Sequence, residues 1–487
     1  MTTKKEEQLY SDRLEKLENL KKAGVNPYPP DSSRTHTVAE VLSNFDTLAD
    51  QGAVILTGRL RALRGHGKLL FGNLEDESAI IQIALKADVL GEQFDFFSST
   101  VDVGDILQLS GNLFLTKKGE RTLQVSTFKV LSKSLRALPE KFHGLKDTEA
   151  RLRKRYLDML ANPETREMFR KKNVFWSTVR NAMVEEGFLE VQTPVLESIP
   201  GGADAEPFIT HHNALDRDFF LRISLELPLK RLLVGGFEKV FEIGRLFRNE
   251  GVDRDHLQEY DDIEFYWAYA EVDKVMDFLK GLYAKIATNV LGGSVSEYEG
   301  NKLDWEGQWQ KLDYFELFKK ATDIDLNGDV TVEMLRKKAD QQGIKYDPSY
   351  GVGRMIDTIY KKTIRPNLIQ PSFLVNHPTI LSPLAKLNPK NPKQVLRFQV
   401  VAAATELGNG YSELNDPIDQ KARFEAQMKL RAGGDKEAQM MDEDFVEALE
   451  YGMPPAVGFG MSERLFAILM DRSIRETVIF PPMRESE

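Results

Sequence analysis

The sequence predicts an α+β protein in two unlike parts: a small N-terminal β-barrel, then a larger domain built on an antiparallel β-sheet with flanking helices. Three observations carry this expectation. Five short runs of alternating character, joined through glycine-containing turns, fill Val54 to Val130. Two further strand-like runs, KVFEIGRLF (239–247) and DDIEFYWAY (261–269), lie on either side of a polar loop, as an antiparallel hairpin requires. Around them run amphipathic stretches with helical spacing, among them 167–186 and 272–291.

A chain of 487 residues exceeds one ordinary domain, so two or three are expected, each with its own core. The longest apolar runs, RLLVGGF and FAILM, fall far short of the ~20 residues that span a bilayer, and the charged N-terminus lacks a signal core. A soluble, cytoplasmic protein with no membrane partner is expected. No cysteine is present, which removes disulfides, thiolate zinc sites and cysteine nucleophiles together. Any catalytic metal is then an oxygen-bound one such as magnesium, not zinc. The formal charge of -10 argues against a surface coated in basic groups, although lysine and arginine cluster between Lys129 and Lys172.

From the N-terminus, residues 5–23 place Leu9, Leu14, Leu17 and Leu20 at helical spacing and close on Gly24. With its lead-in this helix takes up residues 1–50. Residues 51–134 carry the five strands, with a helical insertion near DVLGEQFDFF, and fit an OB-fold barrel. Arg64, Phe71 and Gln82 lie on its first three strands. There an aromatic ring can stack an unpaired base while a guanidinium and an amide read its edge, although each alone also reads as barrel surface or, for Phe71, core. Residues 135–165 form a proline-containing basic connector, and 166–487 the larger domain, with a helical insertion at about 320–365.

The larger domain opens with a helix whose Phe169, Val174, Phe175, Val179, Ala182 and Met183 share a face. GFLEVQTPVL follows, where Pro194 marks a strand edge or end. The glycines Gly201 and Gly202 allow the backbone to approach a ligand closely. His211 and His212 look like a metal pair, but adjacent strand residues face opposite ways, so both are read as structural. The hairpin then brings Arg248 and Glu250 near Tyr260, offering a guanidinium for a phosphate, an acceptor for an exocyclic amine and a flat face for a base. An ordinary surface ion pair is the alternative for these residues.

FRNEG, a polar loop and an aromatic together resemble motif 2 of the class II aminoacyl-tRNA synthetases. GF, V and TP in GFLEVQTPVL resemble motif 1, and GFGMSER before a helix resembles motif 3. ELGNGYSELNDP and the closing IRETVIFPPMR resemble lysyl-tRNA synthetases in particular, and these marks span most of the chain.

The resemblance implies a class II catalytic domain behind an OB-fold anticodon-binding domain. It implies activation of L-lysine by ATP to lysyl-adenylate, then transfer to the 3′ end of tRNA(Lys). Arg248 and Arg464 are the implied catalytic residues; ATP falls to these two with Glu250, His256, Tyr260 and Glu406. Lysine falls to Gly202, Glu226, Arg248, Glu264, Tyr266, Asn409, Tyr411 and Glu413, with Glu413 as the partner of the ε-ammonium. Substrate logic agrees, because a buried ammonium requires a carboxylate and an unpaired buried charge costs several kcal/mol. Arg64, Phe71 and Gln82 are implied to take the anticodon, Pro194 to lie at a two-fold homodimer interface, and Glu406 with Gln399 to bind Mg2+.

Three places depart from the family pattern. Asp255 precedes His256 where an arginine is usual, and Arg254 lies one position earlier. Gln399 stands at the position of a magnesium-binding glutamate, and Ser462 lies near an expected motif 3 glycine. An asparaginyl or aspartyl-type synthetase, a protein-lysylating ligase and a non-catalytic RNA-binding homologue remain as alternatives.

Overall fold

The computed structural model describes residues 4–138, 147–251, 257–433 and 438–483. The chain separates into two compact units, Met1–Asp147 and Thr148–Glu487.

The first unit opens on helix α1 (Lys4–Lys22). Its buried side is Arg13, Leu17 and Leu20, whereas Leu9 and Leu14, expected on the same face, are exposed. Arg13 takes their place because its two terminal nitrogens find acceptors there, the carbonyls of Val103, Ser134 and Arg136. Strands β1 (Val54–His66), β2 (Leu69–Glu75), β3 (Ile80–Lys86), β4 (Ile106–Leu115) and β5 (Arg121–Ser132) close into a barrel in the order β1-β2-β3-β5-β4. Two short helices, Ala87–Leu90 and Glu92–Thr100, join β3 to β4. Alternate residues such as Leu74, Ile81, Ile83 and Leu85 fill the barrel.

The opposite parity carries the residues expected to read RNA. Arg64 pairs with Phe71, and Asn73 with Gln82, so period-2 alternation puts Arg64, Phe71 and Gln82 on one outward face. Phe71 is half-buried on that face and lies outside the barrel core.

The second unit is organised by an eight-stranded sheet. In chain order its strands are β6 (Leu189–Glu190), β7 (Lys239–Phe247), β8 (Glu259–Ala268), β9 (Gln310–Asp313), β10 (Ser372–Val375), β11 (Arg397–Ala402), β12 (Thr405–Ser412) and β13 (Ala456–Ser462). They lie in the order β9-β10-β11-β12-β13-β8-β7-β6. The six central strands run antiparallel, and each edge strand pairs parallel with its neighbour.

One sheet face packs on helices α2 (Pro163–Glu185) and α4 (Val272–Leu291), with α3 (Glu226–Val234) lying between these two in sequence. Phe175, Val179 and Met183 of α2 and Leu279, Tyr283 and Ile286 of α4 meet Phe241, Phe265, Phe398 and Phe459 of the sheet. Val174 does not join that face; five positions after Phe169, it turns outward and is exposed. Because strand side chains alternate, burying Ile263, Phe265 and Trp267 of β8 against the helices sends Asp262, Glu264 and Tyr266 to the opposite face. That opposite face holds the site.

Ahead of α2, residues 148–161 form two short helices, where fully buried Asp158 accepts from Arg151 and Arg155. A three-stranded sheet of Leu196–Glu197, Arg217–Leu221 and Ile209–His212 carries the histidine pair. His211 lies 2.9 Å from Asp218, and both histidines are exposed. Three helices, Tyr314–Thr322, Val332–Gln341 and Val352–Ile359, form a satellite core packed around Phe318, Leu335 and Ile356.

Candidate active site

The β7–β8 hairpin builds the first wall. Its ladder extends one residue past β7, where the Arg248 amide donates to the Gln258 carbonyl at 2.8 Å. Leu246 pairs with Tyr260, and the Arg248 guanidinium lies 5.6 Å from the Tyr260 ring centroid. Burial works against the Arg248 charge, but Tyr260, Glu250, Asp262 and Glu264 outweigh it and hold the guanidinium above its ordinary range. Burial likewise pushes the Tyr260 phenol up, against the pull of Arg248. His256, Arg254 and Asp255 lie outside the described residues.

Three carboxylates form the second wall. Glu264 of β8 accepts from Ser224 Oγ at 2.6 Å, the Leu225 amide at 2.8 Å and Tyr266 Oη at 2.9 Å. Burial and Glu226 push its carboxyl up, and those three donors pull it back. Glu226 occupies the first turn of α3, where the Tyr411 hydroxyl lies 2.6 and 2.7 Å from its two oxygens. Glu413, just past β12, is fully buried, and its carboxyl is driven up by burial, opposed by Lys230. Lys230, one helical turn beyond Glu226, pairs with both Glu226 and Glu413.

Glycines make room for these groups. Gly202 has φ +87°, and a Cβ there would come within 2.9 Å of Ser224 and 2.8 Å of Glu226 Cβ. On β12, Asn409 accepts from Arg397 Nε at 2.7 Å, which fixes its amide. Beside it Gln399 donates to Glu406 at 2.8 Å. Arg464 opens helix α5 (Arg464–Leu469) after β13.

These elements enclose one cavity of about 340 Å3, within the ordinary range for a small-ligand site. Gly202, Glu226, Arg248, Glu250, Tyr260, Glu264, Tyr266, Glu406, Asn409, Tyr411, Glu413 and Arg464 all line it. Gln399 does not; it stands behind Glu406. Pro194 lies exposed between β6 and the three-stranded sheet.

Sequence reasoning missed four contributors. Ser224 and Arg397 orient Glu264 and Asn409, and both line the cavity. Asp262 also lines it, with a buried Oδ1 that has no hydrogen-bond partner among the described residues; alternation with Glu264 along β8 was the available signal. Lys230 is a lysine four residues after Glu226 on an apolar helix, a spacing that reads as a surface pair until the helix is packed.

Among the described residues no group of three or more His, Cys, Asp or Glu is placed to hold a metal ion. Glu406 is a carboxylate facing the cavity, and Gln399 spends its amide donor on that carboxylate. The donor set therefore suits an ion carried largely by other oxygens, such as phosphate and water, with Glu406 as the charged protein ligand.

Residues 147–484 match a family described as tRNA synthetases class II (D, K and N), and residues 54–131 match an OB-fold nucleic acid binding domain. A lysine–tRNA ligase of Moorella thermoacetica is 45% identical over 489 residues, covering 100% of both chains. One from Carboxydothermus hydrogenoformans is 45% identical over 98% of each chain. One from Bacillus subtilis is 43% identical over 97% of this chain and 96% of its own.

Proposed function

The chain belongs to the class II tRNA synthetases of the D, K and N group, among the lysine–tRNA ligases, and from that premise we propose how its cavity joins lysine to tRNA with ATP. The observation that carries the reading is the buried wall of Glu226, Glu264 and Glu413 opposite Arg248. Acid groups out of water demand a cationic ligand, and free lysine brings two ammonium groups.

Glu413 takes the ε-ammonium, with Tyr266 and Asn409 beside it and Glu264 nearby. Glu226 and the backbone at Gly202 take the α-ammonium, and Tyr411 braces Glu226. ATP lies over the hairpin, its adenine on Tyr260 and its exocyclic amine on Glu250, while His256 and Arg464 hold the outer phosphates. Arg248 bridges the lysine carboxylate and the α-phosphate. The carboxylate is already a nucleophile, so no base is needed: an oxygen attacks the α-phosphorus as the bond to the β-phosphate oxygen breaks and pyrophosphate leaves. The 3′-terminal ribose hydroxyl of tRNA then attacks the adenylate carbonyl and AMP departs. Positioning and charge neutralisation supply the rate. When bound with ATP, Mg2+ adds positive charge to the phosphates, and Glu406 is the residue that would hold it, with Gln399 orienting Glu406.

The face of Arg64, Phe71 and Gln82 is proposed to take the anticodon. A homodimer through the motif 1 segment is proposed from the exposed Leu189, Pro194, Val195, Leu196 and Ile209. No helix of the described residues is long and apolar enough to cross a membrane, and we place the enzyme in the cytoplasm with the other components of translation.

Pyrophosphate exchange with each of the twenty amino acids tests the site. Exchange with lysine alone is expected. Exchange with asparagine or aspartate would assign the pocket to the related specificities, and none at all would make the chain a non-catalytic homologue. Charging of tRNA, rather than of a protein lysine, decides the acceptor.

A further inference from the structure

Lys230 is fully buried, does not line the cavity, and no step of the reaction above uses it. Its ammonium sits between Glu226 on its own helix and Glu413 beyond β12, with the rings of Tyr411 and Phe445 at 5.4 and 5.8 Å. Glu264 also acts on Glu413, and Arg231, the next residue in the chain, pairs with Asp442. Burying an ammonium costs several kcal/mol unless carboxylates meet it, and here two do.

We propose that Lys230 is a positioning residue for the amino-acid pocket: clamped between Glu226 and Glu413, it sets the charge of that wall to match free lysine and offsets the burial of the Glu413 carboxyl that receives it. This rests on the reading that the wall binds lysine. The wall holds three carboxylates, Glu226, Glu264 and Glu413, and one buried cation, Lys230, while Asp262, two residues before Glu264 on β8, is opposed by Arg248 and is counted with it. The excess of two negative charges equals the two ammonium groups of the substrate, whose carboxylate faces Arg248. Without Lys230 the wall carries one carboxylate too many for the ligand, and a buried excess charge is relieved by taking up a proton. Glu413 is the group that takes it, because Lys230 is the main influence lowering its carboxyl against burial. A protonated Glu413 no longer neutralises the incoming amine.

The test is the pH profile of kcat/KM for lysine in pyrophosphate exchange, on full-length wild type, Lys230→Met and Lys230→Arg. In Lys230→Met, KM for lysine rises at least tenfold at neutral pH with KM for ATP within twofold of wild type. The acid limb of kcat/KM moves to higher pH by about one unit. Lys230→Arg, which keeps the charge, leaves the limb where wild type has it. If Lys230→Met does not fold, Lys230→Gln against Lys230→Arg gives the same comparison. An unmoved limb in the neutral variant, or an equal displacement in Lys230→Arg, overturns the proposal. Glu413→Gln separates the two readings. If it abolishes lysine activation while the neutral Lys230 variant keeps the wild-type limb, only this inference fails. Near-normal activation in Glu413→Gln would remove the lysine pocket itself.

Discussion

Gly458 of β13 lies directly against Glu413: a Cβ built on the glycine would stand 2.2 Å from Glu413 Oε1 and 2.4 Å from Tyr266 Cε1. No heavy atoms approach that closely, so the carboxylate and the phenol occupy space that any other residue would fill. The glycine-rich strand thus does two jobs, keeping the sheet ladder and leaving a socket for Glu413 and Tyr266.

Gly458→Ala should therefore displace Glu413 and Tyr266 while the fold survives, since the obstructing atoms belong to these two side chains and none to the backbone, and overpacking costs about 1–3 kcal/mol. We expect KM for lysine in pyrophosphate exchange to rise at least tenfold with KM for ATP changed less than threefold. Equal losses for both substrates would show that the socket is not specific to the amino acid.

Asp262 should be a net cost to the empty enzyme. Burial, then Glu264, pushes its carboxyl well above the usual range against the pull of Arg248, and its Oδ1 lacks a partner among the described residues. A carboxyl whose folded pKa exceeds its unfolded one binds its proton more tightly when folded. The penalty is thus absent at acid pH and grows as pH rises above about 4. Asp262→Asn should be more stable than wild type by about 1–3 kcal/mol at pH 8 without nucleotide, with the gap closing towards pH 4. Denaturant unfolding at both pH values checks it; a gap that widens on acidification contradicts the sign.

Glu197 obeys the same rule with a defined window. Burial, opposed by Arg222 and reinforced by Asp442, lifts its carboxyl to about 8 from 4.5. Wild-type stability should fall between those two values and level off above the upper one. Because the side chain is only partly buried, Glu197→Gln should recover about 1–2 kcal/mol at pH 8. Melting curves from pH 5 to 9 that run parallel for the two proteins would exclude the shift.

Phe71→Ala tests the proposed RNA face apart from the active site. Loss of a base-stacking ring costs about 1–3 kcal/mol, or roughly 5- to 150-fold. Phe71→Ala should raise KM for tRNA by an amount in that range while pyrophosphate exchange, which needs no tRNA, stays at the wild-type rate. A matching loss in exchange would mean that the substitution acts through folding. Unchanged charging would remove Phe71 from the RNA surface.

The parts of the site that were legible from sequence are those fixed by local geometry. KVFEIGRLF and DDIEFYWAY alternate with the period of a strand, and the pairing of Glu242 with Glu264 and Leu246 with Tyr260 follows once the hairpin closes. The same alternation, carried one step further, would have placed Asp262 beside Glu264. The N-terminal helix shows where such reasoning stops. Leucine spacing pointed to Leu9 and Leu14, but Arg13 is buried because carbonyls of Val103, Ser134 and Arg136 are held where its guanidinium can reach them.

By itself the sequence determined the alternation that builds the two strand sets, the α+β class, the family, and Glu226, Glu264, Glu413, Arg248 and Arg464 as candidates for the cavity, because backbone periods and short motifs are properties of neighbouring residues. Only the tertiary structure decided that Lys230 answers Glu413, that Gly458 yields its space to that carboxylate, and that Gln399 retires behind Glu406. Those relationships join strands and helices distant in the chain. The order in which the sheet assembles fixes them, and the electrostatic cost of burying a charge without a partner gives them their force.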